Sequence, residues 1–362
     1  MAVRESTYLS WLKALAPVRY DLAGSGVRAC PLELLGPESG DWTLSGENTF
    51  GWPPLLERLA ARYGVATTQI VPALATSGAN HLVYAAALSE PGDHVLVERP
   101  GYEPLIALAQ YHGAIVDRFD RRPEDGYRLD PDAVRRALTP RTRLIVVTNL
   151  HNPTGALASS AELGAIAAIA EAHGCRLLVD EVFREWLHDR GEPSAIGLSP
   201  AVVTTCSLTK AYGLDHLRGG WIIADATFAD RVRRLVGLFH NTMPYVIERL
   251  MARALDRAQV IVGDLTPLVD RNRAAAARWI ASHEQLSWVA PPAGTVGFVR
   301  VRGRNGAAAD VDAMAERLRA RDDTGIVPGR FFDDPGAFRV GLGGPADIVD
   351  EGLRRIGAAL AH

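Results

Sequence analysis

Short runs of β-branched and apolar residues alternate with longer helical stretches through the middle of this 362-residue chain. We predict strands at His94–Glu98, Ile115–Phe119, Leu144–Thr148, Arg176–Val179, Val202–Thr205 and Trp221–Ala224. We predict helices between several of these strands, at Asn80–Ser89, Pro104–His112, Pro131–Leu138 and Ser159–Ala172. Strands separated by helices of roughly 10–15 residues form βαβ units, and such units build a mostly parallel sheet. The alternation therefore predicts an α/β fold in which a mostly parallel mixed sheet is flanked by helices.

The last third of the chain has a different pattern. Predicted helices and strands there follow no strict alternation, and they lie at Arg249–Leu255, Thr266–Ser282, Gly297–Arg302, Val311–Ala320 and Phe338–Gly341, with a closing helix from Ala346. Such an α+β pattern suits a second, smaller domain. We predict a large domain at 45–243 and a small domain formed by 1–44 together with 244–362, because the first 40 or so residues are too few to fold as a domain of their own.

Charge and cysteine content exclude several classes of function. The chain has 39 Lys and Arg residues against 42 Asp and Glu residues, so neither nucleic acid nor an anionic membrane is an expected partner. The cysteines are Cys30, Cys175 and Cys206, whose spacing fits neither a zinc site nor a disulfide framework, and we expect no metal. No signal-peptide stretch or membrane-length apolar run is present, so we expect a cytoplasmic protein.

The segment Thr205–Trp221, with the sequence TCSLTKAYGLDHLRGGW, is the most informative about chemistry. Lys210 stands among hydroxyl residues just past a predicted buried strand. A lone lysine is normally a solvated surface residue, but a partly deprotonated lysine forms Schiff bases with carbonyl compounds such as pyridoxal 5′-phosphate (PLP). Ser207, Thr209 and Arg218 would then supply phosphate ligands beside it.

This segment resembles the SxSK…R signature of the class I/II PLP-dependent aminotransferases, of the aspartate aminotransferase-like fold type I. The resemblance implies a homodimer with active sites at the subunit interface. The sequence TSGAN at Thr76–Asn80 lies where a strand passes into a helix, and small residues there let backbone N–H groups approach a phosphate. By resemblance, the backbone of Gly78, Ala79 and Asn80 cups the PLP phosphate.

Two further motifs follow strands in the order that the family has them. The sequence RPGYEP at Arg99–Pro104 is by itself a turn, and the resemblance assigns Tyr102 to stacking on the pyridine ring. The sequence NLHNPTG at Asn149–Gly155 is also a good turn. By resemblance, Asn152 donates a hydrogen bond to the phenolic oxygen of PLP. We interpret His151 as a local packing or hydrogen-bonding residue.

Charged residues inside apolar strands supply the last two motifs. Two acids end the apolar run of Leu177–Phe183, and a buried carboxylate is costly unless a cation or a hydrogen bond satisfies it. The resemblance makes Asp180 the partner of the protonated pyridine nitrogen, whereas Glu181 is interpreted as structural. The resemblance also implies that Arg339 grips the α-carboxylate of the substrate, for which a planar guanidinium is well shaped.

The chain departs from the family at two positions. Phe183 stands where the family usually has a tyrosine whose hydroxyl donates to the PLP phenolic oxygen, so we predict a raised pKa for the Schiff base. Gly46 stands five residues before Gly51, where many relatives have a tyrosine that reaches the partner's phosphate. The segment Asp21–Val27 is similar to the family's substrate-capping loop, and we assign Gly24 to the substrate site on that basis.

Two interpretations outside PLP chemistry are disfavoured. Gly24, Gly26 and Ala29 formally fit a dinucleotide-binding fingerprint, but Pro31 falls where its helix should continue. A transcription regulator with an aminotransferase-like domain would need a helix-turn-helix domain, and the stretch before Thr76 is short and not basic.

The sequence therefore predicts a PLP-dependent aminotransferase that moves an amino group between an amino acid and a 2-oxo acid through a Schiff base on Lys210. The alternative is a PLP-dependent lyase, oxidase or cyclase that acts on an amino acid in a biosynthetic pathway. All of these reactions begin with deprotonation at Cα by the freed lysine, and the sequence does not separate the later steps. The amino acid and the 2-oxo acid stay undetermined.

Overall fold

A seven-stranded sheet forms the centre of the protein in the computed structural model, which describes residues 5–303 and 309–360. Across the sheet, the strands are β2 (Ile70–Leu74), β8 (Gly219–Ile223), β7 (Val202–Ser207), β6 (Arg176–Asp180), β5 (Thr142–Thr148), β3 (His94–Arg99) and β4 (Ile115–Asp120). β3 to β7 pair in parallel, whereas β8 runs antiparallel to both of its neighbours. The predicted mostly parallel mixed sheet is confirmed.

Helices cover both faces of this sheet, namely α4 (Ala75–Ala87), α5 (Glu103–Tyr111), α6 (Pro131–Ala137), α7 (Ser160–His173) and α8 (Ala226–Phe239). Successive strand residues bury their side chains on opposite faces: Val146 packs in the same cluster as Leu82 of α4, and Val147 in the same cluster as Ile166 of α7. Because both faces are covered, the strands are apolar almost throughout. The start of α7 has the predicted cap, in which the Ser159 side chain accepts from the Glu162 N–H.

A four-stranded antiparallel sheet is built from β12 (Val327–Pro328), β13 (Ala337–Gly341), β10 (Val296–Val301) and β9 (Leu286–Ser287), in that order. The helices of this half are α9 (Tyr245–Asp256), α10 (Ala258–Ala281), α11 (Val311–Asp322) and α12 (Ala346–Leu360). The N-terminal part contributes α1 (Thr7–Ala14), β1 (Tyr20–Asp21), α2 (Leu32–Leu35) and α3 (Pro53–Tyr63). β1 pairs in parallel with β11 (Thr324–Gly325), so the N-terminal part joins the C-terminal half; the domain boundary itself stays a prediction.

Several elements differ from the sequence-based prediction, among them β2, α4 and α10. A strand was expected before the TSGAN motif but was given no bounds, because Pro72 interrupts the apolar run. This strand, β2, lies at the edge of the sheet, where a proline is tolerated. α4 begins at Ala75, so the TSGAN motif lies inside the helix, whereas the predicted helix began only at Asn80. α10 begins at Ala258 and runs through Pro267, which the predicted helix at Thr266–Ser282 placed near its start.

The carboxyl ends of β2, β5, β6 and β7 meet at one edge of the sheet, and the antiparallel β8 begins there. The strand register sets Thr148 beside Asp180, and Asp180 beside Thr205. Ser207 lies beside Gly220 in the same way. In open α/β sheets, ligands bind outside this edge.

The described residues can also be examined for membrane spans, metal sites and disulfides. No helix within 5–303 or 309–360 is long and apolar enough to cross a membrane. Across the same residues, no three His, Cys, Asp or Glu side chains are grouped to hold a metal ion. Cys30, Cys175 and Cys206 are free thiols.

Candidate active site

Lys210 follows β7 at the edge where the strand ends meet, and its Nζ donates to the Ser25 Oγ at 3.0 Å. Burial, followed by the positive charge of Arg339, lowers the pKa of this lysine from 10.5 to about 8. The carboxylates of Asp215 and Asp180 oppose that shift. An amine with such a pKa is partly neutral near pH 8, as Schiff-base formation requires.

The Asp180 carboxylate at the end of β6 is held by a buried polar network. Its Oδ2 accepts from the Asn80 Nδ2 at 2.9 Å, and its Oδ1 accepts from the Val182 backbone N–H at 3.0 Å. The Thr205 hydroxyl in turn donates to the Asn80 Oδ1 at 2.7 Å. Burial raises the pKa of Asp180 to about 6, against the effect of these hydrogen bonds and of Lys210. A cation placed beside this carboxylate would keep it ionised.

A chain of buried hydroxyl groups connects the lysine motif with the TSGAN motif. The Thr76 Oγ1 donates to the Ser207 Oγ at 2.7 Å, and the Ser207 Oγ lies 2.8 Å from the Thr209 Oγ1. The backbone carbonyl of Arg218 accepts from the Ala75 N–H at 2.8 Å, which fixes Arg218 at the N-terminus of α4. Its guanidinium is exposed. Hydroxyls, an arginine and a helix N-terminus together make a site suited to a phosphate.

The first turn of α4 contains only part of the segment predicted to bind the PLP phosphate. A helix leaves the N–H groups of its first turn without intrahelical partners, and this turn runs from Ala75 to Gly78. Of the three predicted members of the cup, only Gly78 belongs to that turn, so the backbone roles of Ala79 and Asn80 stay predictions. The structure instead gives the Asn80 side chain a position between Asp180 and Thr205, which the sequence did not predict.

Arg339 on β13 is fully buried, and none of the ion pairs among the described residues includes it. Its Nη1 donates to the Asn152 Oδ1 at 3.1 Å, and its Nη2 donates to the Tyr8 hydroxyl at 2.8 Å and to the Ala23 carbonyl at 2.9 Å. Its Nε has no hydrogen-bond partner in the structure. A buried guanidinium without a carboxylate partner is costly, and it matches the shape of an incoming carboxylate.

Tyr8 is a site residue that the sequence did not reveal. It lies on α1, which Glu103 anchors: the Glu103 carboxylate accepts from the Thr7 N–H at 3.0 Å and from the Ser6 hydroxyl. This anchoring sets the Tyr8 ring 5.9 Å from the Tyr102 ring in an edge-to-face arrangement. Tyr102 therefore lies beside Tyr8, and its stacking on the pyridine ring stays a prediction. Nothing in the sequence around Tyr8 marked it, since its position depends on the docking of α1.

The two polar residues that we interpreted as structural have local partners. The His151 Nδ1 lies 2.7 Å from the Thr154 Oγ1, and its Nε2 lies 2.9 Å from the Pro100 carbonyl. Burial holds the pKa of His151 well below its usual value, which favours the neutral ring. Glu181 accepts from the Ala195 backbone N–H at 2.8 Å. Neither side chain is free for acid–base work.

The structure gives a steric account of one departure from the family. A Cβ atom at Gly46 would lie 2.3 Å from the Cζ of Tyr245, so the Tyr245 ring fills the space that a tyrosine at position 46 would need. Phe183 is buried in an apolar cluster that also contains Leu150 and Trp186. Its ring thus has an apolar environment, and the effect of the missing hydroxyl on the Schiff base stays a prediction.

The segment Asp21–Val27 packs closely on the end of β13. The Leu22 carbonyl accepts from the Gly341 N–H at 2.7 Å, and a Cβ atom at Gly341 would come within 1.9 Å of the Gly24 carbonyl oxygen. Ser25 in this segment contacts Lys210. The structure therefore places Gly24 against the end of β13 and Ser25 beside Lys210, and the substrate contact of Gly24 stays a prediction.

The class of protein is settled by comparison with known families. The model of the "Aminotransferase class I and II" family matches residues 40–356, and the chain belongs to this family. Its relatives include a capreomycidine synthase of Streptomyces vinaceus, with 30% identity over 94% of this chain and 89% of the relative. An arginine–pyruvate transaminase of Pseudomonas aeruginosa is 29% identical over 85% of this chain and 80% of the relative.

Solved structures agree with this assignment. A PLP-dependent aminotransferase from Streptococcus suis superimposes with a TM-score of 0.90 at 26% identity, over 100% of this chain and 98% of that one. The PLP-dependent cyclase OrfR superimposes with a TM-score of 0.89 at 26% identity, over the same shares of the two chains. The fold is the aspartate aminotransferase-like fold type I, and the cofactor is PLP. The buried Asp180 and the unpartnered Nε of Arg339 fit that cofactor and an amino-acid carboxylate.

Proposed function

We propose that this protein is an aminotransferase that moves an amino group from an amino acid to a 2-oxo acid, with PLP held as a Schiff base on Lys210. The observation that carries the proposal is the opposed pair of pKa shifts at the ends of β6 and β7. Burial lowers the pKa of Lys210 to about 8 and raises that of Asp180 to about 6. Perturbed titratable groups at the ligand-binding edge of a sheet are typical of acid–base sites.

PLP, when bound, supplies the electron sink that makes the substrate Cα–H acidic. Arg339 binds the α-carboxylate of the amino acid and thereby orients its Cα toward the lysine. The Lys210 amine takes the Cα proton and holds it for return. Asp180 would hold the pyridine nitrogen in its protonated form, and Asn152 and Tyr102 would contact the ring.

The phosphate of PLP would lie at the N-terminus of α4. There the Ser207 hydroxyl accepts from Thr76 of the first turn and lies beside the Thr209 hydroxyl, and the Arg218 carbonyl accepts from the Ala75 N–H. The exposed guanidinium of Arg218 would complete the phosphate site. These groups bind and orient the cofactor, and they take no part in proton transfer. These groups lie beside Lys210, which supports a single site that holds the cofactor and the lysine together.

A second candidate function is cyclisation of an amino acid. It is favoured by the relatives named as a capreomycidine synthase and a PLP-dependent cyclase, which match the chain over 94% and 100% of its length. Phe183 also distinguishes this chain from the usual tyrosine-bearing pattern. Both candidate functions use Lys210 as the base at Cα, so they differ only in the steps after that deprotonation.

We propose an amino acid with a cationic side chain as the substrate. A relative named as an arginine–pyruvate transaminase supports this choice. So does Asp215, whose carboxylate acts electrostatically on Lys210. Among the described residues, its one ion pair is with the exposed His216 at 3.7 Å, which leaves it available to a guanidinium or ammonium group.

The deciding experiment incubates the PLP-loaded protein with arginine, citrulline, lysine and alanine, each with and without pyruvate. Products are measured as 2-oxo acid, new alanine, ammonia and total mass. Transamination predicts alanine formation that requires pyruvate, and a cationic site predicts faster turnover of arginine than of citrulline, its neutral analogue. A β-hydroxylated arginine, which carries the leaving group that cyclisation needs, completes the panel. Its conversion without pyruvate and with loss of water would replace transamination by cyclisation. Ammonia release would indicate elimination or oxidation.

We also propose that the protein is a homodimer. Large apolar side chains are exposed around the 44–50 segment and at the end of α8, with Leu44 80%, Phe50 66% and Leu238 75% accessible. Exposed apolar side chains of this size are typical of interaction surfaces. Sedimentation should give a dimer for the wild-type protein and a monomer for Leu44→Glu with Phe50→Glu. Val260→Glu, at an exposed apolar position on α10, is the control, and a wild-type monomer would overturn the proposal.

A further inference from the structure

Lys210 has one direct hydrogen-bond partner in the described structure, and it is a residue to which the sequence assigned no role. The lysine Nζ donates to the Ser25 Oγ at 3.0 Å. Ser25 lies between Gly24 and Gly26 in the Asp21–Val27 segment, far from Lys210 along the chain. Its hydroxyl has no other hydrogen bond among those the structure describes, so the lysine amine is its partner.

The backbone of Ser25 is fixed to the four-stranded sheet. Its carbonyl accepts from the Thr295 Oγ1 at 2.8 Å, and Thr295 is fully buried at the start of β10. The Thr295 carbonyl accepts in turn from the Leu342 N–H at 2.7 Å. A Cβ atom at Gly343 would lie 2.1 Å from the Gly26 carbonyl oxygen, which shows how closely the two segments pack. The Ser25 hydroxyl can therefore rotate, but its Cα cannot shift freely.

The other end of the same segment is attached beside Lys210 itself. The Cys30 N–H donates to the Gly213 carbonyl at 2.9 Å, and Gly213 follows Lys210 in the lysine motif. A Cβ atom at Gly213 would lie 2.3 Å from the Arg28 carbonyl oxygen, so this attachment is also close. The segment from Leu22 to Cys30 thus joins the four-stranded sheet to the lysine loop, and it passes Lys210 at Ser25.

We propose that Ser25 is a positioning residue for Lys210, whose hydroxyl binds the lysine amine whenever that amine is not covalently engaged. The proposal rests on the proposed function, because it assumes that Lys210 is released from the Schiff base during turnover. As the neutral amine takes the Cα proton it becomes an ammonium group, and this group donates to the Ser25 Oγ. Ser25 itself neither gains nor loses a proton.

This contact has a consequence for the charge on the lysine. Lys210 lies near Arg339 and has lost much of its hydration, so its ammonium form is poorly solvated. The Ser25 oxygen replaces part of that hydration. Removing the hydroxyl should therefore lower the pKa of the amine further and should also leave its direction less defined. A serine that only filled space would affect neither property.

The test compares Ser25→Val with Ser25→Thr, which have nearly the same volume and differ by a hydroxyl. Apoprotein is mixed with PLP across a pH series, and Schiff-base formation is followed by absorbance, since only the neutral amine reacts. We expect the midpoint of the pH dependence to fall by about one pH unit in Ser25→Val and to stay near the wild-type value in Ser25→Thr. Ser282→Ala, at the end of α10, is the control for a lost serine hydroxyl elsewhere.

A second readout follows turnover with the best amino acid of the panel. We expect kcat to fall about tenfold in Ser25→Val with KM nearly unchanged, because the carboxylate site at Arg339 is intact. If the midpoint and kcat of Ser25→Val both match those of Ser25→Thr and Ser282→Ala, the proposal is wrong. A wild-type protein that forms no Schiff base at all would instead overturn the proposed function, so the two failures are distinct.

Discussion

The wall of the site formed by the seven-stranded sheet takes its residues from strand ends, whereas the opposite wall takes its residues from segments far apart in the chain. Asp180 and Thr205 are neighbours because β6 and β7 pair in register. Arg339 and Tyr8, in contrast, meet only because α1 docks on α5 and covers β13. The position of a residue at a strand end is determined by the sequence of its own strand and by strand pairing. The position of a residue on a docked helix is determined by the packing of the whole molecule. Strand patterns therefore predict where the residues of the first wall meet, but not how the residues of the second wall come together.

The largest loss of turnover is expected for a change at Lys210, in the wall formed by the strand ends. Lys210→Ala removes both the attachment point and the base, so we expect turnover to fall by about 10⁴-fold or more. The Schiff-base absorbance should disappear while PLP still binds through its phosphate ligands. Steady-state kinetics and absorbance spectra check this expectation. A Lys210→Ala protein that transaminated at the wild-type rate would contradict the proposed function.

A second prediction concerns the burial that this wall imposes on Lys210. The folded-state pKa of about 8 lies below the usual 10.5, so the unfolded state binds more protons between these values. Stability from this group is thus fully present above pH 10.5, and it is lost as the pH falls toward 8. Relative to Lys210→Met, the wild-type apoprotein should gain about 3 kcal/mol in free energy of unfolding across this window. Equal pH dependence in urea titrations of the two proteins would contradict it.

The next prediction concerns Arg339, in the wall opposite the seven-stranded sheet. Arg339→Lys keeps the charge but loses the planar fork that fits a carboxylate, so we expect kcat/KM to fall roughly 10- to 100-fold, mainly through KM. The Schiff-base absorbance should be unchanged, because Arg339 contributes to the substrate side. Kinetics over a range of amino-acid concentrations would separate the two parameters. An unchanged KM would show that the carboxylate binds elsewhere.

A smaller effect on the same wall is expected for Tyr8→Phe. It removes the hydroxyl that accepts from the Arg339 Nη2 but keeps the ring between Tyr102 and Phe331. We expect KM for the amino acid to rise about fivefold, since one hydrogen bond to a charged group is lost. Trp11→Phe, on the same helix, serves as the control for packing. No change in KM for Tyr8→Phe would reduce Tyr8 to a packing residue.

The smallest expected effect is at Phe183, on the strand-end wall. Restoring the usual tyrosine in Phe183→Tyr adds a donor for the phenolic oxygen of PLP, so we expect the pKa of the Schiff base to fall by about one pH unit. A spectroscopic pH titration of the PLP-bound protein measures it. If the pKa does not fall, either another group already donates to that oxygen or the new hydroxyl points away.

The sequence predicted the central sheet and the strand-end residues because each motif follows a strand of regular apolar pattern. It gave no bounds for β2, where Pro72 breaks that pattern, and it placed the start of α4 too late, because TSGAN has no helix signal of its own. The roles of Asp180, Asn152, Tyr102, Arg339 and Gly24 were assigned through family resemblance, and they stay predictions. Tyr8, Ser25 and the side-chain role of Asn80 depend on contacts between distant segments, which periodicity and spacing do not encode.

The attachment of the Leu22–Cys30 segment at both ends restricts how a substrate can enter. Because Gly341 and Gly343 leave no room between this segment and β13, the segment and the strand must travel as one rigid piece. Any movement of the four-stranded sheet would therefore carry Arg339 and the segment together. The pivot for such a movement would lie at the Cys30–Gly213 attachment, beside the lysine. Return of the sheet would bring Arg339, which binds the carboxylate, and Ser25 to Lys210 in a single motion.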